Sequence, residues 1–280
     1  MSRPDPAARP AGRDDTAQPP DGTAEPPDGT AEPLRRRYTP DDLAVLTPDE
    51  AARFIPGGRG DPRADITLAW ELLYRLEPGL YDRLARAERL HPGVLRWLPR
   101  GLGRIVEVGA GTGRLTLDLL DRAEEIVAVE PVAPFREILE RKIAATGRAG
   151  RARVAAGFFD DLPVDSGAAD LVVTCSALTP ASGHGGAAGL AEMERACRRG
   201  GCVAIIWPNH LDWLAAHGYQ HASFAGPMTV DFASHREAVE LAEIFYPHAV
   251  GEIRRRGCRS VPWEVLGVNP PRDVAFRVLA

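Results

Sequence analysis

The chain has 280 residues and a formal charge of −5, from 34 Lys and Arg against 39 Asp and Glu. With 44% hydrophobic residues it has material for a sizeable core, and at roughly 100–200 residues per domain its length fits one full domain with additions rather than a tandem array. No run approaches the roughly 20 apolar residues of a membrane span, and the mildly acidic balance disfavours a broad nucleic-acid footprint.

Residues 1–37 are expected to form a disordered tail. Ser2–Pro33 contains no Val, Ile, Leu, Phe, Trp or Tyr, so it offers no apolar core to a secretory signal and nothing to offset the entropy of ordering. Within it Pro19–Glu25 (PPDGTAE) repeats as Pro26–Glu32, a low-complexity duplication. The run Arg35–Arg37 at its end reads as solvated.

From 38 to about 100 the pattern is helical, and a helical N-terminal cap is expected there. Thr39-Pro40 and Thr47-Pro48 read as N-cap plus first-turn proline, and Glu50 completes a capping box with Thr47. Leu68, Leu72 and Leu76 recur every fourth residue, and Leu80, Leu84 and Leu90 continue an apolar face beyond the Pro78-Gly79 break.

From Gly103 strand and helix alternate. Strands are expected at 104–108, 126–129, 153–156, 170–175 and 202–207, and helices at 114–121, 133–144 and 189–199, the last ended by Gly200-Gly201. Alternation of this length implies a mainly parallel sheet with helices on both faces. Further on, Ser234 with Glu237 reads as a capping box opening a helix to about Tyr246. Residues 261–266 and 273–279 read as two strands forming an antiparallel edge hairpin around Asn269-Pro270-Pro271.

The chemistry concentrates at the end of the first strand. Ile105–Arg114 (IVEVGAGTGR) places Gly109, Gly111 and Gly113 between a strand and a helix, with Ala110 between the first two. Such a turn lets a ligand approach the backbone, and the helix start offers N–H groups to it. Position 114 is arginine, so the GxGxxG fingerprint of dinucleotide binding fails. Glu107, two residues before the first glycine, would oppose a pyrophosphate and suits a ligand carrying an ammonium group. Glu130 ends the second strand, 17 residues after Gly113, where an acid accepts from ribose hydroxyls. Asp160 or Asp161, after the third strand, can accept from an adenine amino group, with Phe158 or Phe159 as a ring wall.

Glu107, Gly109, Gly111, Gly113, Glu130 and Asp160-Asp161-Leu162-Pro163 resemble class I S-adenosylmethionine-dependent methyltransferases, most closely the type 11 small-molecule subgroup. The segment Glu192–Gly201 also resembles that family's helix before the fifth strand. The resemblance covers about 103–208 with a domain reaching 101–280, including an insert at about 210–247. It implies an α/β, Rossmann-like seven-stranded sheet of order 3-2-1-4-5-7-6 and S-adenosyl-L-methionine as methyl donor. It also assigns Glu130 to ribose, Asp160 to adenine and Gly109–Gly113 to the methionine end, with Ser176 near the sulfonium.

The expected activity is in-line methyl transfer to a small-molecule acceptor in the cytoplasm, with no nucleic acid, membrane or metal partner. A methyltransferase acting on RNA or protein, an NAD(P) oxidoreductase and a non-catalytic scaffold are the competing classes. No Asn/Asp-Pro-Pro-aromatic motif follows the fourth strand, which disfavours methylation of an adenine or amide nitrogen. His184 and His210 are the candidate catalytic bases, from their positions in loops after the fourth and fifth strands. Cys175, Cys197, Cys202 and Cys258 form no CxxC pair and read as reduced thiols rather than metal ligands.

Overall fold

The computed structural model describes residues 32–280. The expected tail therefore lies outside the described residues except for its last stretch, and that stretch departs from expectation. Glu32–Arg35 forms one helical turn (α1), with Leu34 only 2% exposed against Tyr38, Leu72 and Leu73. Arg37 pairs with Glu77, whose carboxylate also accepts from the Tyr38 hydroxyl at 2.8 Å. Leu34 is the first large apolar residue after Met1, and its burial is what ends the tail. Leu34→Ala should cost about 2–4 kcal/mol in urea denaturation, as for other deep core truncations. A loss under about 0.5 kcal/mol, the range of surface substitutions, would put it back in the tail.

The helical stretch forms as its caps dictate. A 3₁₀ turn at Pro40–Val45 is followed by α2 (Pro48–Phe54), α3 (Ile66–Leu76), α4 (Pro78–Ala87) and α5 (Pro92–Trp97). At α2 the capping box closes: Thr47 N–H donates to the Glu50 carboxylate at 2.9 Å, and Glu50 N–H donates to the Thr47 hydroxyl at 3.3 Å.

The sheet strands are β1 (Leu102–Val108), β2 (Ala123–Val129), β3 (Ala152–Ala155), β4 (Ala169–Cys175), β5 (Cys197–Ile206), β6 (Gln220–Ser223) and, last in the chain, Asp273–Val278. Between them lie α6 (Thr116–Leu119), α7 (Ala133–Ala145), α8 (Gly186–Ala196) and α9 (Leu211–Ala216). After β6 come β7 (Thr229–Asp231), α10 (His235–Phe245), α11 (Val250–Arg256), β8 (Ser260–Pro262) and α12 (Trp263–Leu266), which makes Asp273–Val278 β9.

The seven strands lie in the order β3-β2-β1-β4-β5-β9-β6, with β9 alone antiparallel to its neighbours. Counted within the sheet, this is the expected 3-2-1-4-5-7-6. Alternate residues serve the two faces. Val106, Val127, Val172 and Val203 pack against Leu190 and Met193 of α8; Ile105, Ile126, Leu171 and Ala204 pack against Leu115, Leu119 and Val94. Helix α5 thus belongs to the layer on the sheet rather than to the cap.

Three expected elements change. The helix after the glycine turn is four residues, not eight. Helix α8 ends at Ala196, and β5 runs on through Gly200-Gly201, where Gly201 lies so close to the Asp170 carbonyl that a Cβ would sit 2.8 Å from it. The edge partner of β9 is β6, not residues 261–266. Pro262 has no N–H to extend a ladder, and the chain turns helical there to bury Trp263 and Leu266. The expected insert at 210–247 accordingly supplies a strand of the main sheet. What lies outside that sheet is residues 224–272.

Those residues join the cap. Leu84 and Ala87 of α4 share one core with Val230, Phe232, Leu241, Ile253, Trp263 and Leu266, so cap and insert roof the sheet together. Among the described residues no helix is long and apolar enough to cross a membrane.

Candidate functional site

The roof sits over the carboxyl ends of β1, β2 and β4, where ligands bind in open α/β sheets. All three glycines of the turn have positive φ: 69° at Gly109, 55° at Gly111 and 96° at Gly113. Two are also crowded. A Cβ at Gly109 would lie 2.8 Å from the Ala177 Cβ, and one at Gly113 would lie 2.7 Å from Leu139. At Gly111 the nearest atoms are those of the Tyr81 ring, at 3.8 and 3.9 Å. Gly111 is therefore the glycine that faces open space, and Ala110 beside it is buried.

The turn does not hold out free backbone donors, contrary to expectation. Gly109 and Ala110 N–H both donate to the Val129 carbonyl, at 2.9 and 3.1 Å. Gly113 N–H donates to the Ala110 carbonyl at 3.0 Å, and Gly111 N–H to the Glu130 carboxylate at 2.8 Å. Glu130 also accepts from Val132 N–H at 2.9 Å. It is buried, and desolvation raises its pKa to about 7 against the pull of these two N–H donors. Each oxygen keeps a lone pair for a further donor.

Glu107 is 1% exposed, and its Oε2 has no hydrogen-bond partner. Burial pushes its pKa up to about 8, with the Thr116 hydroxyl opposing and the Glu130 charge adding. It lines an enclosed cavity of about 20 Å³ together with Tyr81, Ala85, Gly109, Ala110, Gly111, Thr112, Arg114, Leu115 and Cys175. That is room for water, so a nucleoside enters only if Tyr81 and α4 move outward.

Other expected residues fall elsewhere. Asp160 is exposed and forms an ion pair with Arg53 of α2, whose nitrogen lies 2.9 and 3.1 Å from its two oxygens and whose guanidinium lies over the Phe158 ring. Asp161 is an exposed turn residue whose N–H bonds back to the Phe158 carbonyl. Ser176 follows β4 with a φ of 56°, and Trp207 follows β5 with a φ of 53°; they are the two non-glycine residues with positive φ among those described. Backbone strain of this kind gathers at functional sites, and these two mark adjoining strand ends. His184 bonds Glu71 of α3 at 3.1 Å and lies against the Phe54 ring, so it anchors the cap. His210 precedes α9. Neither histidine lines the cavity, and the structure does not bring the two expected bases to it.

Sequence reasoning missed a buried cluster on the far wall. Arg114 pairs with Glu88 at 2.6 Å, Glu88 accepts from the Tyr246 hydroxyl at 2.5 Å, and the Arg114 guanidinium lies 5.1 Å from the Trp207 ring centre. Lys142, the single lysine of the chain, bridges Asp82 of α4 and the Thr112 carbonyl of the glycine turn. Cap and sheet domain are thus joined by four ion pairs: Arg53–Asp160, His184–Glu71, Lys142–Asp82 and Arg114–Glu88.

Residues 105–201 match a family described as a methyltransferase domain. Relatives are an uncharacterized methyltransferase of Mycobacterium bovis, 28% identical over 134 residues, 45% of this chain and 50% of that protein, and one of Exiguobacterium sibiricum, 52% identical over 44 residues, 16% and 21%. The chain spans about half the length of the mycobacterial relatives it matches. A solved S-adenosylmethionine-dependent methyltransferase from Aquifex aeolicus is similar at a TM-score of 0.43 and 17% identity, over 56% of this chain and 94% of that one. The chain carries a methyltransferase domain of the class I, S-adenosylmethionine-dependent kind.

Proposed function

We propose that the protein binds S-adenosyl-L-methionine over the carboxyl ends of β1, β2 and β3 and transfers its methyl group to a small-molecule acceptor beneath the roof. The observation that carries the reading is the partnerless Glu107 oxygen. A buried carboxylate with no donor is costly, and an ammonium group beside it supplies both hydrogen bond and countercharge. Glu130 is held by two backbone N–H groups with lone pairs to spare for ribose hydroxyls. Gly111 leaves the space that a side chain would fill.

When bound, the donor supplies a methyl carbon on a positive sulfur that leaves as a neutral thioether. The protein's part is alignment and exclusion of water. Tyr81, stacked on Phe135 at 4.8 Å, closes the turn from above, and Ser176 fixes the strand end by donating its N–H to the Ile206 carbonyl at 2.9 Å. Asp160 reaches an adenine amino group only if Arg53 lets it go, so α2 and the donor share that carboxylate. With His184 committed to Glu71, the reading assigns no proton to a histidine.

Enclosure of the site by residues 38–100 and 224–272 favours a small acceptor over a polymer. The four cysteines, each a free thiol, support a cytoplasmic setting. The test uses dialysed full-length protein. S-adenosylhomocysteine should raise the melting temperature while NAD(H) and NADP(H) leave it unchanged, and isotopically labelled donor should label a component of a metabolite extract. Stabilisation by the nicotinamide cofactors instead would remove the reading.

A further inference from the structure

Arg114 stands where a dinucleotide fingerprint needs glycine, and methyl transfer gives it no task. It is buried between the Glu88 carboxylate and the Trp207 ring, and its Nε–H has no partner. It lines the cavity that Glu107 lines, and Glu107 holds the matching orphan of opposite charge. The thiol of Cys175 senses both: Arg114 draws its pKa down and Glu107 drives it up, while burial holds it at about 11. One cavity therefore presents a buried cation and a buried anion, each with a hydrogen-bonding position unfilled. The ligand chemistry that fills both is a zwitterion, an ammonium and a carboxylate on one small fragment.

The glycine turn sharpens this. An α-carboxylate at a strand-to-helix turn would ordinarily be bound by backbone N–H groups. Here those of Gly109, Ala110, Gly111 and Gly113 are already spent on Val129, Glu130 and Ala110. A carboxylate entering the cavity needs a side-chain donor, and Arg114 is the cationic residue lining it.

Resting on the donor reading above, we propose that Arg114 receives the α-carboxylate of the donor's amino-acid end and makes the site selective for nucleosides that carry it. In the empty form Glu88 holds the guanidinium in place. The arriving carboxylate takes the Nε–H and completes the charge-assisted set. Charges then balance: Arg114 is positive, Glu88 and Glu107 are negative, and the sulfonium donor carries a net single positive charge.

The experiment is calorimetry on the full-length protein with three thioether probes. S-adenosylhomocysteine has both groups, its decarboxylated analogue keeps only the ammonium, and 5′-methylthioadenosine has neither. The native protein should prefer S-adenosylhomocysteine to the decarboxylated analogue by at least about tenfold, the worth of a hydrogen bond to a charged group. Arg114→Gln should erase that preference and leave the other two affinities within about threefold, the scatter of context-dependent effects. Because Arg114→Gln strands Glu88, the double variant Arg114→Gln/Glu88→Gln is measured beside it and should show the same selective loss in a folded protein. Equal weakening toward all three probes would make Arg114 a structural residue and overturn the proposal, as would undiminished preference for S-adenosylhomocysteine. If the native protein binds none of the three, the donor reading itself falls, and that result is distinct from loss of selectivity.

Discussion

Gly111→Arg is expected to leave the protein folded and abolish binding of S-adenosylhomocysteine. The backbone cost is that of a non-glycine residue at a φ of 55°, about 1–2 kcal/mol. The first side-chain carbon meets only the Tyr81 ring at 3.8 Å, ordinary contact, and the rest of the arginine runs into the space beneath the roof. Gly113 offers the contrast. There a Cβ would press on Leu139, a fully buried residue of the α7 face, so Gly113→Ala is expected to damage folding as well as binding. A melting curve and a calorimetric titration of both variants separate the two effects. Native affinity in Gly111→Arg would move the ligand away from this turn.

Glu107→Gln should raise stability and lower donor affinity together. The Glu107 pKa stands at about 8 in the folded protein, above the ordinary carboxylate range, because burial disfavours the charge. Between about pH 4.5 and pH 8 the folded state keeps a proton that the unfolded chain releases, so stability falls as pH rises through that window and levels off above it. Glu130, raised to about 7, adds to the fall with the same sign. Removing the Glu107 contribution should gain about 2–4 kcal/mol at pH 8.5 and nothing near pH 4, read by urea denaturation at both values. S-adenosylhomocysteine should bind at least about tenfold more weakly, since the amide offers its ammonium no charge. A pH-independent change in stability would mean that the carboxylate is solvated, and full affinity would mean that the ammonium binds elsewhere.

Both residues stood out before any coordinates did, because the strand–glycine–helix segment and the acid inside it are local patterns. The sheet order was legible for a similar reason: strands and helices alternate, and parallel crossovers restrict their arrangement. What the sequence hid depended on partners far along the chain. Asp160 reads as a free acceptor until Arg53, 107 residues earlier, is folded onto it. Arg114 reads as a failed fingerprint until Glu88 and Tyr246 close around it. Residues 261–266 carry a strand-like composition, yet burying Trp263 and Leu266 in the roof decides their form, and a weakly apolar segment, Gln220–Ser223, takes the sheet edge. His184 looked like chemistry from its glycine-rich loop, and only the fold reveals that Glu71 waits for it on α3.

The solitary lysine has a practical consequence. Reagents that modify amines have one side chain to find in this chain, and that amine is engaged by α4 on one side and by the glycine turn on the other. Its acylation rate therefore clocks how often helix and turn part company. A donor that holds them together would slow the reaction, turning the residue into a built-in stopwatch for breathing of the roof that needs no engineered label.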